Sequence, residues 1–170
     1  LNWLLALLGL LRLERRVAEP LYFFALAGTL PGILTPELPV GFPSVRFLAY
    51  FSTHGLVVIS ASVLTFGFGL LPARGAPWRA FLLLNLYALL VTPVNLALGT
   101  NFLYLRAKPA SGTPFDWFGP WPYYILGLEV AFLGVFLLLD RTHQLARTPV
   151  RASTGVVRDV IVGPRQRRRS

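Results

Sequence analysis

The chain is predicted to fold as an all-α, polytopic bundle of transmembrane helices. Three observations carry that reading. Apolar residues make up 55% of the chain and charged residues 14%, whereas about a quarter of a soluble domain is charged; the mean hydropathy is +0.61. The apolar stretches are continuous runs rather than alternations, and lipid accepts only helices or closed barrels across its core. Each run is closed by charges, Pro or Gly. The 170 residues hold about five spans of roughly 20 residues and leave no room for a separate soluble domain.

Leu1 to Leu11 is apolar but covers only about 16 Å as a helix, roughly half a hydrocarbon core. It reads as a span cut by a fragment boundary. The chain has no Met and begins at Leu1 with no charged region ahead of the apolar run, so the expected start lies upstream rather than at a signal peptide. The charges Arg12, Glu14, Arg15, Arg16 and Glu19 end this run. Pro20 suits the first turn of the next helix, which runs to about Leu34 with a kink expected at Pro31.

Thr35 to Arg46 holds three prolines and reads as a loop. Phe47 to Leu71 is long enough to cross with some tilt. A short turn, PARGAPWR, leads into a span from Ala80 to Leu105 interrupted by Pro93. Arg106 to Pro122 is an aromatic-rich loop, and Tyr123 to Leu139 is the last span, closed by Asp140 and Arg141. The bundle is thus assigned to 1–141, N-terminally incomplete, and a basic tail to 142–170.

Charge orients the bundle. Arg12, Arg15, Arg16, Arg74, Arg79 and Arg141 fall on the side of the tail, against Arg46, Arg106 and Lys108 on the other. Basic loops stay in the cytoplasm, which predicts a cytoplasmic tail in a multi-pass protein of the cell membrane. Much of the net charge of +9 lies in the tail, which ends PRQRRRS. Its partners are expected to be membrane lipids rather than nucleic acid, because no folded element presents the charge, and anionic headgroups attract such segments. A solvated tail that only sets topology is the plainer alternative.

Ionisable groups at membrane depth are costly and usually face the bundle interior. His54, in FSTHG, lies about 10 Å into its helix, and Glu129, in ILGLEVAF, at a similar depth. Asn85, Thr92, Asn95 and Gly99 are spaced by seven, three and four residues and share a helical face, with Asn101 near the outer end of the same helix. His54, Ala61 and Thr65 share another. Lys108 and Glu37 lie at the outer boundary, while Thr65 and Asn85 fall in the inner half.

These residues suit a one-sided cavity with His54 and Glu129 as candidate catalytic residues and Asn95, Asn101 and Lys108 as candidate substrate-binding residues. A His with an ordinary pKa near 6.5 is a natural general base, a carboxylate can orient its ring, and Asn and Lys can stabilise an oxyanion. No nucleophile stands in a recognisable elbow. Without Cys and with one intramembrane His, neither zinc nor haem finds a ligand set, so no metal or cofactor is expected. Hydrogen-bonded helix packing by Asn, Thr and His, at about 0.6 kcal/mol per bond, is the alternative for each residue taken alone. It keeps a non-enzymatic membrane protein, transporter-like or an assembly partner, open beside an enzyme.

The segments LYFFALAGTLPGILTPEL, FSTHG, GTNFLYLRAKP and GPWPYYILGLE resemble, in order from about Leu21 to Asp140, the successive motifs of the YwaF-like bacterial integral membrane proteins. That family is related to a vertebrate transmembrane acyltransferase that moves fatty acyl chains onto ether lysophospholipids using a Cys and a His. The resemblance implies a bacterial inner-membrane protein and places the family's intramembrane His on His54. Its Asn and Lys-Pro motif falls on Asn101, Lys108 and Pro109. The family's Cys belongs to the helix that Leu1 to Leu11 continues, so it is expected just upstream. Lys108 is then expected to face phosphate or carboxylate headgroups. Trp117, Trp121, Tyr123 and Tyr124 are expected to anchor the interface beside it.

Overall fold

The computed structural model describes residues 1–110 and 112–147. Within them the chain is helical throughout its long elements: α1 (Asn2–Arg12), α2 (Arg15–Phe24), a π-turn (Ala25–Thr29), α3 (Leu30–Leu34), α4 (Val45–Ser62), a second π-turn (Val63–Gly67), α5 (Ala76–Leu98) and α6 (Tyr123–Arg147). Two 3₁₀ turns, Phe102–Tyr104 and Pro114–Phe118, lie in the loop before α6. Four helical segments are long and apolar enough to cross a membrane: Arg15–Leu34, Val45–Gly67, Ala76–Leu98 and Tyr123–Thr142. The shorter apolar α1 accompanies them. This is the expected all-α bundle. The assigned tail lies outside the described residues beyond Arg147.

The span Arg15–Leu34 is central. Its Ala18, Leu21 and Ala25 pack with Ala6 of α1, Val57 and Ala61 of α4 and Leu64 of the second π-turn. Its Tyr22, Phe23 and Phe24 pack on the other side with Ala76 and Ala80 of α5 and Phe136 of α6. Small residues on the neighbours let backbones approach closely, the packing mode available where lipid gives helices no hydrophobic drive to associate. Gly9 shows this directly: a Cβ there would lie 2.7 Å from Leu64 Cδ1. The outward faces carry exposed large apolar residues such as Leu89, Leu90, Leu96 and Val130, as lipid contact requires.

Several boundaries differ from the sequence reading. The second helix begins at Arg15, so Pro20 lies inside it. The bond it forfeits is to the Arg16 carbonyl, near the helix end where water can satisfy that group. Helix α4 begins at Val45 because Ser44 Oγ accepts from Phe47 N at 3.2 Å as an N-cap, which serves an orphan amide. Helix α5 begins at Ala76 and ends at Leu98, where Gly99 takes φ 66°, the left-handed cap that glycine supplies most readily. Asn101 is therefore in the loop, not on the helix.

Pro31 stands just after the first π-turn rather than at a sharp kink. Leu30 N reaches Ala25 O, a bond one residue longer than the α pattern, and the helix continues through Leu34. A π-turn widens the helix locally and often accompanies a functional site. Here it turns Gly28 and Thr29 towards the same space as His54.

Candidate functional site

His54 lies nine residues into α4, about 14 Å along the axis. Its Nδ1 is 2.9 Å from Tyr50 O. A carbonyl only accepts, so in the neutral ring Nδ1 carries the hydrogen and Nε2 has a free lone pair. Thr53 Oγ1 donates to the same carbonyl at 2.8 Å. The Tyr50 ring stacks on the imidazole with centroids 4.0 Å apart, and Tyr50 Oη is held by Gly32 O at 2.7 Å. The Gly32 site faces Tyr50 and His54 closely: a Cβ there would lie 3.3 Å from Tyr50 Oη and 4.0 Å from His54 Nε2. Backbone bond, stack and α3 together hold the ring in one tautomer.

His54 forms part of the wall of a cavity of about 280 Å³. Most of the remaining lining is apolar, with Trp3, Phe24, Val57, Leu84 and Phe132 prominent. Asn2, Thr29 and Tyr87 add polar groups, and Asn2 Nδ2 donates to Thr29 Oγ1 at 2.8 Å. These three were not among the sequence candidates. Asn2 sits in an apolar run without a motif, and Thr29, although inside the LYFFALAGTLPGILTPEL segment, lies in the π-turn that lines the cavity.

Leu103 closes one side of this space, and it belongs to the loop that holds the Asn-Lys-Pro motif. Leu103 and Tyr104 both take positive φ, 59° and 54°, a region that non-glycine residues enter at a cost of about 1 kcal/mol or more each. A dense set of bonds holds them there. Asn95, fully buried, donates from Nδ2 to Phe102 O at 3.0 Å. Its Oδ1 accepts from Phe102 N at 2.8 Å and Thr100 Oγ1 at 2.9 Å. Asn101 Oδ1 accepts from Arg106 N at 2.9 Å, and its Nδ2 donates to Ala107 O at 2.8 Å. Arg106 Nη1 reaches Asn95 O and Thr100 O, each at 3.3 Å, placing a cation on the negative end of α5.

Glu37, from the loop before α4, fastens this roof. It accepts from Tyr104 Oη and from Ala110 N, both at 2.6 Å. Burial, the bond to Glu37 and its negative charge push the Tyr104 phenol up to about 12. Lys108 Nζ pairs with Asp116 Oδ1 at 2.9 Å. The Lys108 bond, with the Thr113 amide, holds the Asp116 carboxyl below its ordinary range. Tyr124 Oη donates to Tyr104 O, and Trp121 Nε1 to Leu105 O at 3.1 Å. Tyr124 is thus a buried strut of the roof, a correction to its expected place in the interfacial belt, whereas Trp117, Trp121 and Tyr123 are exposed.

The candidate residues therefore divide into three places. His54 lines the cavity. Asn95, Asn101 and Lys108 come together in the roof, their polar atoms bonded to the roof itself. Glu129 Oε2 accepts from Asn85 Nδ2 at 3.0 Å, joining α6 to α5, and no hydrogen bond links it to His54 among the described residues. That bond also puts Asn85 and Glu129 at one depth, correcting their assignment to inner and outer halves. The orienting partner of His54 is the Tyr50 carbonyl, a backbone group that sequence reasoning about side-chain pairs does not reach. Among the described residues no group of three or more His, Asp or Glu side chains converges on a common point where a metal could bind.

Comparison with curated proteins and with solved structures finds no match. Residues 1–140, which include the cavity, its roof and every candidate residue, match the family model of the TMEM164 family, and the chain belongs to that transmembrane family.

Proposed function

We infer that the cavity beside His54 is a site for acyl transfer or hydrolysis on membrane lipid, with His54 Nε2 as general base. The single observation that carries this reading is the Nδ1 to Tyr50 O bond, which leaves Nε2 unprotonated in the neutral ring of a residue that lines a mostly apolar cavity. A lipid acyl chain suits the Trp3, Phe24, Leu84 and Phe132 walls. The likeness of the motifs to YwaF-like proteins, and through them to an ether-lipid acyltransferase, supports the same chemistry.

The step open to these 170 residues, which hold no cysteine, uses the acceptor hydroxyl or water directly. Nε2 takes the acceptor proton, the oxygen attacks the acyl carbonyl, and the tetrahedral centre collapses. The leaving alkoxide recovers the proton from the imidazolium, so atoms and charge balance. Asn95, Asn101 and Lys108 serve substrate through the roof they build, and Glu129 serves through the α5–α6 joint. The protein sits in the cell membrane, the inner membrane of a bacterium, with its basic tail in the cytoplasm.

The test is the turnover of labelled phospholipid and lysophospholipid acceptors by the purified full chain in bilayers. His54→Ala should lower the rate by about 10²-fold or more, the usual size of a general-base contribution, with helicity unchanged. A rate insensitive to the substitution would favour the second reading, a non-enzymatic bundle. In that reading polar residues join helices, as the Asn85–Glu129 bond does.

A further inference from the structure

Helices α2 and α5 begin at the same end of the bundle, opposite the roof, and a second cavity of about 580 Å³ opens there. Arg15, Arg16 and Arg79 line it with one carboxylate, Glu19. Three guanidinium groups against one carboxylate leave two positive charges in excess.

Glu19 is already engaged. Its side chain is 7% exposed, with Oε2 bonded to Arg79 Nη2 at 2.7 Å and Oε1 accepting from Ala73 N at 2.9 Å. Arg79 Nη1 also donates to Arg74 O at 3.1 Å. Arg79 is thereby pinned across the cavity while its side chain stays 56% exposed. Arg15 and Arg16 are exposed, and neither side chain makes a hydrogen bond or ion pair among the described residues. Two free forks thus stand beside a third that is fixed in place.

Guanidinium forks match the paired oxygens of a phosphate better than any other side chain. The rest of the lining gives the site its second character. Pro20 and Leu83 are apolar, and Leu86, one turn further along α5, is half exposed on the lipid face. A ligand that is anionic at the end of the bundle and apolar along the helices is a phospholipid. We propose that the Arg15–Arg16–Arg79 cavity is a structural binding site for the phosphate headgroup of an anionic glycerophospholipid. The lipid comes from the leaflet opposite the His54 roof, and its acyl chain runs along Leu83 and Leu86. Basic pockets between transmembrane helices recognise such headgroups by this means.

Native mass spectrometry of the full chain measures it, with phosphatidylglycerol and phosphatidylcholine of identical acyl chains offered together. The chain should retain phosphatidylglycerol preferentially. Arg15→Gln with Arg16→Gln should cut that preference by on the order of tenfold, and these exposed positions leave the Glu19–Arg79 pair intact. Replacing Arg167, Arg168 and Arg169 by Gln controls for the basic tail and should leave the preference in place. Equal retention of the two lipids would overturn the proposal, as would a preference untouched by the double substitution or abolished by the tail substitution alone. Displacement of the lipid by inorganic phosphate at equal concentration would also overturn it, in favour of a soluble anion.

Discussion

His54 and Glu37 show how much a single side chain depends on what the backbone does around it. A search for chemistry in the sequence finds His54 because an ionisable ring in an apolar run is conspicuous. It does not find the partner, because the oxygen that sets the tautomer belongs to the Tyr50 main chain and carries no residue signature. Glu37, in the proline-rich loop before α4, does mechanical work: it clasps Tyr104 and Ala110 across the roof. The Tyr104 phenol reports this clasp. Its folded-state pKa of about 12 lies above the ordinary value near 10. Burial first, then the Glu37 bond, favour the neutral phenol, so the clasped, protonated Tyr104 contributes stability in full below about pH 10, and that contribution is lost as pH rises through about 12. In an alkaline titration followed by phenolate absorbance, the highest-pKa phenol should vanish in Tyr104→Phe and move down towards 10 in Glu37→Gln. A titration unchanged by Glu37→Gln would show that the clasp does not form.

At the scale of elements, the helices are legible because apolar runs of span length between Pro, Gly and charge clusters admit few other structures in lipid. Their ends are less so. Pro20 looks like a helix start and sits inside α2, because its lost hydrogen bond falls where water replaces it. The π-turn at Ala25–Thr29 has no local composition of its own; it stands just before Pro31, and its Thr29 accepts from Asn2.

The loop from Gly99 to Pro122 looks like a water-facing connection studded with aromatics, and its Asn101 and Lys108 look like ligand-binding groups. In the fold those two bind the loop itself, while its Tyr104 bonds Glu37. Its attachment to α6 rests on a glycine: a Cβ on Gly127 would overlap the ring of Phe118. Gly127→Ala should lift the 3₁₀ turn Pro114–Phe118 off α6 at a cost of about 1–3 kcal/mol, typical of overpacking. Limited trypsinolysis after Arg106 in bilayers should accelerate accordingly. Cleavage at the parent rate would mean that Phe118 does not seat on the glycine.

Residues 1–140 form a bundle around one central span, Arg15–Leu34, with α1 and α4 packed on one side and α5 and α6 on the other. That centrality is hidden in the sequence, where Arg15–Leu34 is the least hydropathic of the four candidate spans; a helix shielded from lipid by its neighbours can carry more polar residues. The two ends differ in chemistry, with the roof and His54 cavity towards one face and the Arg15–Arg16–Arg79 cavity at the other. The charge asymmetry between loops predicts that the roof faces outward. Single cysteines at Gly112 and Arg74 test this with a membrane-impermeant thiol reagent in intact cells. The Gly112→Cys chain should label at once and the Arg74→Cys chain only after permeabilisation; the reverse pattern would invert the topology.

The central claim, that the space beside His54 holds a lipid acyl chain, is tested most directly by photolabelling. The full chain is reconstituted with phospholipid bearing a photoreactive group in its acyl chain, irradiated, and mapped by peptide mass spectrometry. Label should concentrate on Leu84, Tyr87 and Phe132, which line the cavity, and should fall when Val57→Trp fills it. Label spread over the lipid-facing Leu89, Leu90 and Val130, with the cavity residues unmarked and Val57→Trp without effect, would contradict it.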